Sequence, residues 1–304
     1  MKTVKVRPQT SDRIATTLLY CVAMFFVALL VLFIGYFIVN GWSELNWHFI
    51  TSPPEFSVAG GGIGPELFNS LYLVILADLI SVPIGIAAGI YMAEYAKPNQ
   101  LTKSIRFSIE ALSSLPSIVI GMFGLLVFVT LTGWKYTLFG GALAVCILNL
   151  PIIARTSEDA IRAIPLDLKE ASLALGATHW QSIARVLLPA ALPGLITGII
   201  LVSGRAFGEA AALLFTAGMS QPALDWSQFF NLASPASPLN PFRPAETLAV
   251  YIYKINAEGL VPDARQIADG ASAVLIIISL LFNVLARFFG RLLTARYAGK
   301  NAAK

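Results

Sequence analysis

The chain has 304 residues, 57% of them hydrophobic and 12% charged, with a formal net charge of +4. A soluble globule carries about a quarter of its residues charged, so this composition excludes one and indicates a polytopic membrane protein. The positive excess requires no nucleic-acid partner, because basic residues line the inner face of membrane proteins. Cys21 and Cys146 are too few for a disulfide framework, and His48 and His179 lack a Cys or carboxylate pattern at ligand spacing, so no metal site or cofactor is expected.

Apolar stretches long enough to cross a bilayer run over 14–39, 66–95, 104–132, 137–157, 187–217 and 268–290, predicting an all-α fold of six transmembrane helices. The first is longer than the apolar core of a secretion signal, and no small-x-small site follows Gly41, so an uncleaved anchor is expected. The run Gly60-Gly61-Gly62-Ile63-Gly64-Pro65 reads as a flexible joint. It divides an anchor region (1–65) from a membrane domain (66–290), with a basic tail at 291–304. Residues 218–267, rich in proline, are expected to be irregular and either to contact a substrate-delivering protein or to cover a pore mouth. With the N-terminus in the cytoplasm, 16 of the 21 Lys and Arg fall inside, Lys2, Lys5, Arg7 and those of the tail among them. Only Lys135, Arg243, Lys254 and Arg265 fall outside. This bias places both termini and residues 165–185 in the cytoplasm.

Residues 165–185 have the form of a helical hairpin. Pro165 suits a helix start, and Asp167 and Glu170 suit its positive end. Gly176 supplies a left-handed stop, and Thr178 with Gln181 has the spacing of a capping box that opens a second helix. Leu168, Ala171, Ala174 and Leu175 form a short apolar knob that fits a partner's groove or an interface. The segment resembles the EAA loop of ABC-importer permeases at Glu170, Ala171, Gly176, Ala177, Val186, Leu188, Pro189, Pro193 and Gly194, with Ser172 and Ile183 as departures. The resemblance implies that Glu170, Ala171, Ser172, Leu175 and Gly176 couple the chain to a separate ATPase.

Ionisable groups inside a span face a cavity or a partner, because insertion costs about 2.5 to 3.5 kcal/mol each. Arg205 and Glu209, four apart in the fifth span, are placed for an ion pair, either as a structural bridge or as part of a substrate path. Ser113, Ser114 and Ser117 in the third span offer hydroxyl donors or small packing surfaces. Asp78 is a lone acid, and Glu110 has Arg106 as its i,i+4 neighbour. The run from Arg205 to Ala217, containing Arg205-Ala206-Phe207-Gly208-Glu209 and Leu213-Leu214-Phe215-Thr216-Ala217, resembles the fifth-span signature of phosphate-specific importer permeases. Pro83 to Tyr95 and Leu115 to Gly121 resemble the PstA-like members of that family. Ala210 and Ala212 depart from it, where Thr and Pro are usual. The resemblance implies a substrate path through Arg205, Glu209, Ser113 and Ser117. It also implies a PstC-like second permease, a PstB-like ATPase dimer, a PstS-like phosphate-binding protein and residence in the bacterial inner membrane.

No Gly-x-x-x-x-Gly-Lys-Ser/Thr loop occurs, so the chain is not expected to hydrolyse ATP. An Arg guanidinium suits phosphate, and equally sulfate, molybdate or phosphonate. A secondary transporter with midplane acids leaves the hairpin unexplained. A membrane enzyme would need a clustered His, Cys or carboxylate set.

Overall fold

The computed structural model describes residues 8–55, 59–259 and 261–302, with side chains from 12 to 292 within those ranges. Lys2, Lys5, Arg7 and Lys304 of the charge argument lie outside the described residues, as do the side chains of Arg296 and Lys300. All regular structure among these residues is helical. Five helices are long and apolar enough to cross a membrane, or six passes when one bent pair is counted as a span.

The first pass is α1 (Pro8–Gly41), whose most apolar stretch is not buried against any other part of the chain. It touches α12 through its C-terminal turns, from about residue 34 onward, and Gly41 at its end meets Asp269 and Ala273. After a short α2 (Trp47–Thr51), Ile63 packs fully buried against Phe49, so the glycine-rich joint is anchored at its centre.

The core of the bundle is a parallel pair, α3 (Gly64–Ile90) and α6 (Leu138–Arg162). Leu73 meets Gly141, Gly85 meets Ile153 and Gly89 meets Ser157, a constant register along the whole pair. A Cβ on Gly85 would fall 2.6 Å from Ile153, so glycine is what lets these backbones close up. The helix α9 (Leu188–Phe207) packs antiparallel on α6, with Gly198 on Thr156, and is tied to α3 by a hydrogen bond between Ser203 and Asp78. Asp78 therefore has its partner inside the chain. The last pass, α12 (Ala264–Ala302), runs antiparallel to α9, with Asn283 beside Gly204 and Gly290 beside Ile196.

Two expected spans are broken. The stretch 104–132 is two helices, α4 (Gln100–Ser113) and α5 (Ser117–Gly124, continued to Leu131 by a π-helical turn), bent by 98°. Pro116 lacks an amide hydrogen and disfavours helix at Leu115. Ser113 and Ser114 bond back to the carbonyls of Glu110 and Ala111, competing with the helical ladder. The pass from Ser117 to Leu131 is thus about 22 Å long at 1.5 Å per residue. The amphipathic α4 lies across one end of the bundle. There Arg106 pairs with Glu158 rather than with Glu110, which instead meets Arg155 at 3.3 Å. The second break separates α9 from α10 (Ala211–Thr216) at Gly208–Ala210.

Residues 218–267 are more ordered than expected. They contain α11 (Leu248–Glu258), which buries Leu248, Tyr251 and Ile255 against α12. Arg243 is fully buried and donates to the carbonyls of Ser237, Pro238 and Pro244 and to Asn69 Oδ1 at 2.7 Å. Asn69 donates in turn to Gln221, and Gln221 to Glu66, so two amides connect a buried cation to a buried carboxylate. Glu246, also buried, receives the Lys254 ammonium at 3.2 Å. These bonds pin the segment to the first turns of α3.

Burial pushes the Glu246 carboxyl up to about 7, against the pull of Lys254. The fold favours the acid form, so this group's contribution is complete below its ordinary value of 4.5 and is lost as pH rises through about 7. Protein in detergent is expected to melt at a lower temperature at pH 8 than at pH 6, and Glu246→Gln to narrow the gap. An unchanged gap in the variant would assign the pH dependence to other groups.

Candidate functional site: a coupling hairpin and two broken helices

At the end of the bundle where α3 and α6 finish, the chain forms a hairpin of α7 (Leu166–Ala174) and α8 (His179–Ser182), the latter continuous through a π-helical turn with α9. Pro165 caps α7, and Gly176 adopts φ +87°. The capping box forms as the spacing requires: Gln181 N–H donates to Thr178 Oγ1 at 3.3 Å, and Thr178 N–H to Gln181 Oε1 at 2.9 Å. Glu170, Ala171, Leu175 and Gly176 are exposed, Leu175 at 90%. Ser172 is different. It is half-buried and bonds to Ser182 and to the Lys169 carbonyl, so it ties the two arms together instead of facing outward.

Carboxylates fasten the hairpin and α4 to the spans. Glu94, in the π-helical turn Tyr91–Tyr95 that ends α3, takes Lys169 at 2.6 Å and His179 at 3.1 Å. Glu158 of α6 takes Arg162 at 2.8 Å as well as Arg106 of α4. Glu94 and Glu158 were not singled out from sequence. Arg162 is on the helix of Glu158 at i,i+4 spacing, and the other partners come from elsewhere in the chain.

The far arms of the two broken helices pack on each other. Gly121 of α5 lies against Ala211 and Ala212 of α10, and Gly124 against Thr216. Irregular backbone at membrane depth is tolerated where it is covered by protein or lines a water-filled cavity. At the α9 break the helix tightens, with Gly208 N–H donating to the Arg205 carbonyl and Glu209 N–H to Ala206. Gly208, a poor helix former, ends α9 there.

That ending separates Arg205 from Glu209. The expected ion pair does not form, because Glu209 has left the helix. Glu209 is 8% exposed, and its carboxylate accepts the Ala212 N–H at 3.2 Å at the start of α10. Arg205 stays on α9 and is exposed, on one stripe with Pro193, Thr197 and Leu201. No hydrogen bond or ion pair engages its guanidinium among the described residues. Ser113 and Ser117 flank the other break, Ser113 exposed and bonded to its own helix, Ser117 half-buried. Among the described residues no group of three His, Cys, Asp or Glu is placed to hold a metal ion.

A bundle of apolar helices with a polar hairpin clamped to one end and two interrupted helices whose far arms pack together is the build of a membrane transport subunit. The chain belongs to the family described as binding-protein-dependent transport system inner membrane component, whose profile matches residues 85–299. It is a permease subunit of the ABC-importer type. It is 54% identical to the probable ABC transporter permease protein YqgI of Bacillus subtilis over 283 residues, 93% of this chain and 96% of that one. It is 34% identical to the phosphate transport system permease protein PstA of Yersinia pestis over 253 residues, 82% and 78% of the two chains. Its fold matches a chain of a bacterial alginate ABC transporter with a TM-score of 0.64 at 17% identity, covering 93% of this chain and 96% of that one.

Proposed function

We propose that this permease carries inorganic phosphate into the cytoplasm, and that Arg205 touches the anion in transit. The observation that carries this reading is an Arg with no partner among the described residues, on the exposed stripe of α9 beside a break in the helix. A guanidinium stays charged and offers two parallel donors to an oxyanion. The similarity to PstA permeases, 34% identity over most of the chain in one case, supports phosphate among the oxyanions. The partners in this reading are a homologous second permease, a pair of ATPases at the hairpin and a phosphate-binding protein at the opposite end. Alternating access uses the two breaks as the places where passes bend, and the hairpin conveys the ATPase motion through Glu94 to α3 and through its continuous helix to α9.

Uptake of labelled phosphate by cells with and without this chain tests the substrate. Phosphate uptake is expected to require the chain, to persist when the proton gradient is collapsed while ATP is maintained, and to resist excess sulfate and molybdate. Competition by sulfate would move the assignment to that anion, and loss with the proton gradient would remove the ATPase from the scheme.

Orientation is tested by cysteine labelling in intact cells. A cysteine at Phe230, 84% exposed, is expected to react with an impermeant reagent, and one at Leu175 to react only after permeabilisation. The reverse pattern would put the hairpin outside and separate it from any cytoplasmic ATPase.

A further inference from the structure

Below Arg205, toward the hairpin end, α9 and α12 enclose a cavity of about 360 Å³. Pro193, Thr197 and Leu201 line it from α9, on the same exposed stripe that carries Arg205. Asn283, Arg287 and Arg291 line it from α12. The lining holds no acidic side chain. Because Asn283 is level with Gly204 and Gly290 with Ile196, Arg287 stands about 7 Å and Arg291 about 14 Å further along the bundle axis than Arg205, at 1.5 Å per residue.

We infer that this cavity is a second oxyanion site, held by Arg287 and Arg291, which receives the anion after Arg205 on its way to the hairpin end. The inference rests on the reading of the Arg205 stripe as the anion's route.

Three observations carry it. Arg287 and Arg291, four apart on one helix face, bring two guanidiniums to a cavity whose lining, among the described residues, holds no acidic side chain. No hydrogen bond or ion pair inside the chain engages Arg287 among the described residues. One neutral donor is also in place: Asn283 spends one amide hydrogen on the Ser279 carbonyl and keeps the other, whereas the Thr197 hydroxyl gives its hydrogen to the Pro193 carbonyl. Guanidiniums spaced by about one to two helical turns form a succession of moderate sites, which lets an anion leave each step as well as enter it.

The same chemistry recognises a free phosphate and the phosphate of an anionic lipid, so the test separates the two. In the assembled importer, with Cys21→Ala to remove the exposed thiol, Leu201→Cys serves as a reporter in the cavity wall. Inorganic phosphate is expected to slow alkylation of this cysteine, and the slowing is expected to vanish in Arg287→Gln with Arg291→Gln. The same double substitution without the reporter is expected to lower maximal uptake about tenfold, the scale of a lost hydrogen bond to a charged group. Assembly and binding-protein stimulation of the ATPase are expected to persist, and Arg287→Lys with Arg291→Lys to regain part of the rate. Slowing by phosphatidylglycerol vesicles but not by inorganic phosphate would overturn the inference and make the cavity a lipid site. Unchanged uptake in the Gln variant would overturn it as well. Selective uptake of sulfate by the unmodified importer, with sulfate slowing the alkylation, would move the substrate while keeping the second site; an absence of slowing by any transported anion would remove the site alone.

Discussion

Gly176→Val is expected to reach the membrane at normal levels and to lose most transport. Gly176 sits at φ +87° with no other atom near the place a Cβ would occupy, so a new side chain meets no steric obstacle there. The cost lies in the backbone. A left-handed conformation costs an ordinary L-residue roughly 1–2 kcal/mol, and for a β-branched one it is an outlier. The turn relaxes instead, swinging the exposed Leu175 and Ala171 away from the position in which the proposed coupling sets them against an ATPase. Gly176→Asn, which tolerates this conformation, is expected to keep transport near normal. ATPase activity stimulated by the binding protein, measured on both variants, checks the point. Full activity in the valine variant would show that the hairpin does not convey the motion.

Arg205→Ala is expected to abolish most uptake without harming assembly. Arg205 is exposed and Glu209 spends its carboxylate on the Ala212 N–H, so removing the arginine leaves no new unpaired acid. The loss is expected in transport alone, about tenfold to a hundredfold if one or two charged hydrogen bonds to the anion are deleted. Arg205→Lys keeps the charge without the planar fork and is expected to fall between. Glu209→Ala is expected to act differently, loosening the start of α10 and lowering yield. If Arg205→Ala and Glu209→Ala instead lower yield equally and the pair together restores it, the two residues are coupled structurally and the anion path lies elsewhere.

The hairpin was legible in the sequence because everything that makes it is local. The cap at Thr178 and Gln181 and the turn at Gly176 are fixed by residues within a few positions of one another. The breaks were not, although their signals were present at Pro116 and Gly208. Apolar character averaged over twenty residues does not register a bend, so a stretch that turns by 98° has the same hydropathy as a straight one. The Arg205–Glu209 spacing misled for the same reason, since i,i+4 places two side chains together only while the helix continues between them. The buried chain from Arg243 through Asn69 and Gln221 to Glu66 was illegible for another reason. Its members are more than 150 positions apart in every link but those to neighbouring carbonyls, and only the assembled bundle brings them together.

The glycine contacts between α3 and α6 limit how this subunit can work. With Gly85 and Gly89 set directly against Ile153 and Ser157, a slide of one residue, about 1.5 Å, would drive side chains into main chain. The pair therefore has no freedom to shear and travels as a single stiff blade. If the hairpin couples to an ATPase as proposed, a stroke delivered through Glu94 passes along that blade as one body, and bending is left to the segments that end at Pro116 and Gly208.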